Sequence, residues 1–296
     1  MAKKGMGLFI LLAILGYGIL MATASYSLPY GKIIFVDDDF TNDPQNHKWN
    51  TIQAAIDDAE DGDIIFVFAG TYEENIFVDK QITLIGENAE NVIIDGNSRK
   101  YAVNLLADGI KMENFSVRNG VDAGIYIEYD NVEIKNCIIT ANGLYGLEIA
   151  SDNVTIINCS FHNMPVAIWM SGSNISIINA IIYDTDWGVM VKNSFTSIFK
   201  DGEFYNIENK SMWIESSEEI NIENITIHDT FCGIWLLNTT NSSISFCNIR
   251  DNKIGVKLQN SSFNEIINCE FTNNFGYGIF SENSYNNVIH HNNFIG

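Results

Sequence analysis

Basic residues and proline are both scarce in this sequence. The 296 residues include 16 Lys and Arg against 37 Asp and Glu, which gives a formal charge of −21 at pH 7. A chain this acidic lacks the positive surface that phosphate backbones require, so nucleic acid is excluded as a partner. Three prolines and 46% hydrophobic residues rule out a proline-rich linker and allow a large buried core.

Long apolar runs are missing as well, with one exception at the N-terminus. Two lysines precede an apolar stretch over residues 6–21, and the small residues 22–24 then offer a cleavage site. This order predicts a secretory signal peptide over residues 1–24; because the apolar run is long for a signal, an uncleaved membrane anchor is the alternative. In either case we expect the rest of the chain to be secreted or held at the cell surface.

Cysteine occurs five times, and the spacing of four of these residues argues against a disulfide framework. Cys137 and Cys159 are 22 residues apart, as are Cys247 and Cys269. Side chains at the same position of stacked repeats run parallel rather than toward each other, so we expect small buried hydrophobic residues with free thiols. Cys232 has no evident partner in the sequence.

A unit of about 22 residues recurs from residue 124 onward. Successive units begin 22, 21, 21, 23, 22, 22 and 23 residues apart, at Gly124, Gly146, Ala167, Gly188, Ser211, Gly233, Gly255 and Gly278. A fixed period of this size is typical of a solenoid, in which each repeat buries its apolar face only against its neighbours.

Each unit divides into three short strands separated by turn residues. In the unit that begins at Gly124 the strands are residues 125–127, 132–134 and 137–139, with apolar residues at alternate positions. Three strands and three bends repeated in register predict a parallel β-helix of about ten coils over residues 64–296. A three-stranded β-meander is disfavoured because the hairpin turns that it needs are missing.

A short amphipathic helix is predicted ahead of the first coil. Over residues 51–59 the apolar side chains recur at helical spacing, and Asn50 or Thr51 can cap the N-terminus. Because a solenoid needs a cover for its open end, residues 25–63 are assigned to an N-terminal cap.

One position, at the bend before the third strand, is asparagine in most units. Along the chain it holds Asn114, Asn136, Asn158, Asn179, Asp201, Asn224, Phe246, Asn268 and His291. Stacked amides can bond to each other across successive coils, so we expect an inward-facing asparagine ladder that Phe246 interrupts.

Both the N-terminal segment and the repeats resemble a known family. Thr51-Ile-Gln-Ala-Ala-Ile-Asp, Gly62-Asp63-Ile-Ile and Ala69-Gly70-Thr71-Tyr72 resemble the start of pectin-lyase-like right-handed β-helix proteins, while the Asn-Cys and Gly-Ile-x-Ile motifs of the repeats resemble the NosD-like subgroup. The resemblance covers residues 33–296 and implies a single-stranded right-handed parallel β-helix. It implies no single activity, because the family includes polysaccharide lyases and hydrolases, copper-related accessory proteins and many surface proteins.

The outward position of the first strand carries three of the chain's five tryptophans. Read along successive coils, it holds Tyr126, Glu148, Trp169, Met190, Trp213, Trp235, Lys257 and Phe280. Because coils stack about 4.8 Å apart, these side chains are expected to form one stripe, here called the aromatic column. Its aromatic members, together with Trp187 at the preceding turn, are predicted to bind a sugar or a protein partner. The alternative is that a loop or a second chain covers the column.

Carboxylates cluster at the turn after the third strand, beside the aromatic column. This acidic bend comprises Asp184, Asp186, Asp229 and Asp251, with Arg250 next to the last of them. A pair of carboxylates can hydrolyse glycosides, and carboxylates that hold Ca²⁺ can act with an arginine in a β-elimination. The alternative is that the turn itself favours aspartate on a solvated rim.

Two features weaken the interpretation as an enzyme. The polygalacturonase-type motifs Asn-Thr-Asp, Asp-Asp, Gly-His-Gly and Arg-Ile-Lys are not found in the repeats, and three arginines are few for a site that binds an anionic polysaccharide. His162 and His228 fall three coils apart, too far to share one ion. No metal site is assigned, and Ca²⁺ is the one cofactor that the carboxylates leave open.

The last coil, around Phe294, shows no capping helix or polar terminal unit, which predicts self-association through apolar edges. The sequence as a whole predicts an exported β-helix protein that binds carbohydrate or a protein partner through the aromatic column, without catalysis. The alternatives are a polysaccharide lyase or glycoside hydrolase that uses the acidic bend, and a purely structural or adhesive surface module.

Overall fold

A computed structural model describes residues 31–296, so the predicted signal peptide or anchor over residues 1–24 lies outside the described range. Within that range the chain is an all-β parallel solenoid of about eleven turns. The predicted β-solenoid is confirmed, with one turn more than the repeat count indicated. No helix among residues 31–296 is long and apolar enough to cross a membrane.

The predicted capping helix is confirmed and runs from Ile52 to Asp58. Thr51 Oγ1 accepts a hydrogen bond from the first turn at 3.4 Å. The Glu74 carboxylate accepts the main-chain N–H groups of Ile52 and Gln53 at 2.8 and 2.9 Å, which satisfies two more donors at the helix start. The apolar face of the helix is buried against the first coil. Around the helix lie the strands Ile33–Val36 and Lys48–Trp49 and the 3-10 helix Pro44–Asn46.

One long sheet consists of the second strands of successive coils. Its thirteen strands all pair in parallel, each with the equivalent strand of the neighbouring coil. Central residues such as Ile134, Ile156 and Ile177 are in direct register and buried, so the interior consists of stacked columns. After the two N-terminal strands named above, its strands are Ile64–Val67, Thr83–Gly86, Lys111–Glu113, Glu133–Lys135, Thr155–Ile157, Ser176–Ile178, Ile198–Lys200, Asn221–Glu223, Ser243–Ser245, Glu265–Ile267 and Val288–His290.

The first and third strands of the coils together form a second sheet of fifteen strands. In six places the third strand of one coil continues through its bend into the first strand of the next. The result is a strand of 11 to 14 residues where two short strands were predicted. The long strands are Val92–Leu105, Ser116–Ile127, Ser160–Met170, Ile181–Lys192, Glu203–Glu215 and Thr226–Leu237; the short ones are Gly70–Tyr72, Ile76–Val78, Ile138–Thr140, Tyr145–Ile149, Asn248–Arg250, Ile254–Gln259, Glu270–Thr272, Tyr277–Glu282 and Asn293–Ile295.

The asparagine ladder occupies bends whose backbone is left-handed. Asn136 Nδ2 donates to Asn114 Oδ1 at 3.2 Å, and the same bond joins Asn158 to Asn136 at 3.1 Å and Asn179 to Asn158 at 2.9 Å. The ladder is therefore confirmed, but the expectation that it faces inward is wrong, because Asn136, Asn158 and Asn179 are exposed. The residue that follows each asparagine, such as Cys137, points into the core instead.

All five cysteines are free and buried, as the spacing predicted for Cys137, Cys159, Cys247 and Cys269. The main-chain N–H of Cys137 donates to Cys159 Sγ at 3.5 Å, so the two thiols lie one above the other in the interior. Burial raises the pKa of the Cys137 thiol, and it raises the pKa of Cys232 to about 12. The thiols of Cys137 and Cys232 are thus protonated side chains of the core rather than reactive groups.

Buried amides support the bends from the inside. Asn252 is fully buried; its Oδ1 accepts the N–H of Thr230 at 3.1 Å, and its own N–H donates to Asn274 Oδ1 at 3.1 Å. Asn142 and Asn264 make equivalent contacts at other bends. These side chains take the place of the main-chain partners that the backbone loses where it turns.

Candidate functional site

The structure brings the predicted aromatic column together as a single row. Pairing across adjacent coils joins, in order, Tyr126, Glu148, Trp169, Met190, Trp213, Trp235, Lys257 and Phe280. Each of these side chains is half-buried on the outer face, while its two neighbours along the strand point into the core. The column is therefore an ordered row of side chains with solvent on one side, in which Glu148, Met190 and Lys257 separate the aromatic rings.

Glycine at the start of the first strand allows the coils to approach closely beneath this row. A Cβ on Gly188 would lie 2.2 Å from the carbonyl oxygen of Ser211, and one on Gly233 would lie 2.5 Å from that of Gly255. Such contacts are too short for a side chain at Gly188 and Gly233, whereas Ala167 and Ser211 open two other units at the equivalent position.

A second row of side chains runs beside the column and contributes Trp187. Trp187 pairs with Val166 on one side and Lys210 on the other, and its ring lies 5.7 Å from that of Trp213. The pairing between these two strands shifts by one residue ahead of Lys210, which is a β-bulge. The bulge places Lys210 in line with Trp187.

Lysine side chains lie between the tryptophan rings, which sequence reasoning did not anticipate. Lys210 Nζ is 4.0 Å from the ring centre of Trp187 and 4.6 Å from that of Trp235. Lys257, on the coil that follows Trp235, places its Nζ 4.1 Å from the centre of the Trp235 ring. These are cation–π distances, so Trp235 is held between two positive charges.

Two indole donors in the column have no acceptor. Within residues 31–296, the Nε1 atoms of Trp213 and Trp235 are shielded from solvent and have no hydrogen-bond partner. A buried polar group without a partner is costly, and other side chains of residues 31–296, such as Ser151 and Asn248, share this feature. The centre of the column is therefore polar as well as aromatic.

The N-terminal end of the column has a different character. The rings of Tyr101 and Tyr126 stack with centres 4.7 Å apart, and Lys100 Nζ lies 4.6 Å from the Tyr101 ring. Glu148 is the next member of the column, and burial raises the pKa of its carboxyl group. Tyr101 and Lys100 were not predicted as site residues, because the irregular strand that carries them lacks the repeat's opening glycine.

The acidic bend consists of turn residues with partners. Asp184, Asp229 and Asp251 have φ values of 51°, 54° and 57°, a left-handed conformation that aspartate tolerates well. Asp229 Oδ2 lies 2.7 Å from His228 Nδ1, and Asp251 Oδ2 accepts a hydrogen bond from Arg250 at 3.0 Å.

The Arg250 hydrogen bond keeps the pKa of Asp251 below its usual range, so this carboxylate is ionised at neutral pH. An ionised carboxylate is suited to act as a base or nucleophile rather than as the general acid of a glycosidase. Pairing of His228 with Arg250 puts Asp229 and Asp251 on neighbouring coils, and Asp184 lies two coils before Asp229. Asp186 is exposed on the same side as Asp184.

An open groove of about 570 Å³ lies next to the last two of these aspartates. Asp229, Asp251 and Lys253 contribute charged groups, and Phe231 and Phe275 contribute apolar walls. Phe275 is 77% exposed. This groove is the part of the acidic bend that offers space for a ligand.

Four rings stack in parallel on the third strands, behind the acidic bend. Their centres are separated by 4.7 Å between His162 and Tyr183, 5.2 Å between Tyr183 and Tyr205, and 5.3 Å between Tyr205 and His228. Burial lowers the pKa of His162, which favours the neutral ring. We interpret the stack as a support for the bend rather than a metal site.

Carboxylates close enough to share a cation occur elsewhere. Within residues 31–296, Asp37, Asp38 and Asp39 are the one group of three metal-ligating side chains whose ligand atoms lie within 4.8 Å of one another. They belong to the N-terminal region, and oxygen ligands of this kind suit Ca²⁺. The acidic bend does not form such a group, so any role for Ca²⁺ there stays a prediction.

The stacked three-strand coils define the class: a parallel β-helix. The family model described as right handed beta helix region matches residues 45–179, 101–241 and 187–296. The chain therefore belongs to the right-handed β-helix family, and the predicted handedness is confirmed.

Several solved structures share the fold at low sequence identity. The A-module of the mannuronan C-5 epimerase AlgE6 of Azotobacter vinelandii has a TM-score of 0.67 at 14% identity, covering 82% of this chain and 94% of that one. The Dettilon tailspike protein gives 0.72 at 12% identity, over 88% of this chain and 62% of that one. At such identities the likeness establishes the fold alone.

One curated relative is more similar in sequence over a shorter stretch. A cell surface glycoprotein of Methanothermus fervidus is 39% identical over 93 residues. The match covers 31% of this chain and 15% of the glycoprotein, so the matched segment is a minor part of both proteins.

Proposed function

We propose that this protein is a cell-surface β-helix that binds carbohydrate along the aromatic column, without catalysing a reaction. The observation that carries the proposal is the register of aromatic side chains on one outer face. The similarity to a cell surface glycoprotein supports the surface location. Export through residues 1–24 belongs to the same proposal.

Aromatic rings suit carbohydrate because one face of a sugar ring is largely C–H and stacks on a flat apolar surface. Trp169 and Trp213 are half-buried, so their orientations are fixed before a ligand arrives. A fixed ring loses little conformational freedom on binding, which favours affinity. Similar folds that work on carbohydrate include the mannuronan epimerase and XylC, solved with xylose.

The test is binding on a glycan array with the variants Trp213→Ala and Trp235→Ala. We expect each to lower affinity about tenfold or more, because truncating a central aromatic anchor removes most of its contact energy. Phe195→Ala is the matched control, since Phe195 is an exposed aromatic residue outside the column. Unchanged glycan binding in both tryptophan variants would overturn the proposal. Retention of a protein ligand without any glycan would favour a protein partner.

A second candidate function is a polysaccharide lyase or glycoside hydrolase at the acidic bend. The groove beside Asp229 and Asp251 favours it, since it joins carboxylates to apolar walls. The ionised state of Asp251 and the turn geometry of the aspartates weigh against it. Release of reducing ends or unsaturated products from a polysaccharide panel, with and without Ca²⁺, decides the matter. Product that disappears in Asp229→Asn would replace our proposal with this one.

A further inference from the structure

The C-terminal coils are strongly acidic, yet their lysines gather at the aromatic column. After residue 136 the sequence has 16 Asp and Glu against five Lys and one Arg. Three of those five lysines, Lys192, Lys210 and Lys257, lie against tryptophans of the column or its flanking row. A surface made acidic for solubility alone would not collect its few positive charges on one aromatic wall.

The three lysines differ in how their charge is balanced. Lys192 Nζ lies 3.1 Å from a Glu215 carboxylate oxygen, and Lys257 Nζ lies 3.9 Å from one of Glu282. For Lys210, no carboxylate of residues 31–296 lies within the 4.0 Å of an ion pair. Its charge rests on the faces of Trp187 and Trp235 alone.

The position of Lys210 disfavours its charged form, since burial lowers the pKa of its ammonium group. A partly desolvated cation without an anion gains the most when an anion is supplied from outside. The site therefore offers a positive charge beside aromatic rings, a combination that matches an acidic group carried on a sugar ring.

We propose that the ligand of the aromatic column is an anionic polysaccharide, whose acidic group is bound by Lys210 with support from Lys257. This inference rests on the proposed function and names the chemical class of its ligand. The sequence suggested the opposite because arginine is rare, whereas the structure shows that lysine supplies the charge. The acidic group is a carboxylate or a sulfate, and the two sources are separated by the experiment.

The experiment measures binding of an oligouronate, its carboxyl-reduced neutral counterpart, and a sulfated oligosaccharide with its desulfated form. Tryptophan fluorescence and calorimetry report affinity for the whole protein. We expect one acidic oligomer to bind about tenfold more tightly than its neutral counterpart, and added salt to weaken that binding. The acidic oligomer that shows this preference identifies the source of the charge.

The variant Lys210→Met keeps the apolar stem and removes the charge. We expect it to bind the acidic oligomer no better than the neutral one, with Lys257→Met giving a smaller loss. Lys200→Met is the matched control, because Lys200 pairs with Glu223 on the other sheet, and it should change affinity less than twofold. Circular dichroism confirms that the variants fold.

The outcomes separate the two proposals. Equal binding of acidic and neutral oligomers, or a Lys210→Met variant that keeps the acidic preference, overturns the inference and leaves carbohydrate binding intact. Absence of binding to every oligomer overturns carbohydrate binding and the inference together.

Discussion

Single residues at the bends are chosen by the backbone before any ligand is considered. Non-glycine residues with positive φ recur at almost every corner of residues 31–296, and most are asparagine or aspartate. Their short polar side chains lower the cost of a left-handed conformation. Asp184 and Asp229 meet this requirement as well as Asn206 and Asn273 do, so their carboxylates need no catalytic explanation.

Phe246 is one of the exceptions, like Phe263, and it tests this account. It has a φ of 56°, is 57% exposed, and stands between Asn224 and Asn268 in the asparagine ladder. We expect Phe246→Asn to raise the free energy of unfolding by about 1 kcal/mol, because it relieves a bulky left-handed residue and adds a ladder bond. Urea denaturation measures the change. Phe195→Asn, an exposed phenylalanine without positive φ, is the control, and an equal gain there would refute the explanation.

Among the elements, the bends carry as much structural information as the strands. Strand interiors are columns of isoleucine and valine that differ little from coil to coil. The bends, by contrast, are held by specific buried amides and hydroxyls such as Asn252, Ser242 and Ser261. A coil is therefore fixed in register at its corners, where each side-chain acceptor serves the coil next to it.

Asn252→Ala should be among the most destabilising polar substitutions. It leaves the N–H of Thr230 without its acceptor and removes the bond that Asn252 Nδ2 donates to the carbonyl oxygen of Ile227, at a fully buried site. We expect a loss of about 2–3 kcal/mol, measured by thermal and urea unfolding. Asn293→Ala, on an exposed strand, should stay within about 0.5 kcal/mol. Equal effects at the two sites would show that the buried amides at the bends are not important for stability.

The repeat period sufficed to predict the coils, the cysteine column and the aromatic column, because stacking turns sequence spacing directly into spatial alignment. It did not suffice for the position of Lys210. The unit that begins at Gly188 is 23 residues long, and its extra residue forms the bulge that aligns Lys210 with Trp187. Spacing shows the insertion but not which row the following side chain joins. The direction of the asparagine ladder was missed for a similar reason, since period alone does not give φ.

For the whole molecule, each coil is stabilised only by its neighbours, so the two ends behave differently from the middle. The capping helix covers the first coil. At the other end Val288, Phe294 and Ile295 are exposed, and the strands that carry them pair on one side only.

The even spacing of the aromatic column makes the molecule a ruler. Seven steps separate Tyr126 from Phe280, and at about 4.8 Å a step the row is roughly 34 Å long. A chain-like ligand laid along it would gain contacts with every unit added until it outgrew the row. Insertion or deletion of one coil would lengthen or shorten the row by about 4.8 Å and leave the spacing of the other side chains unchanged.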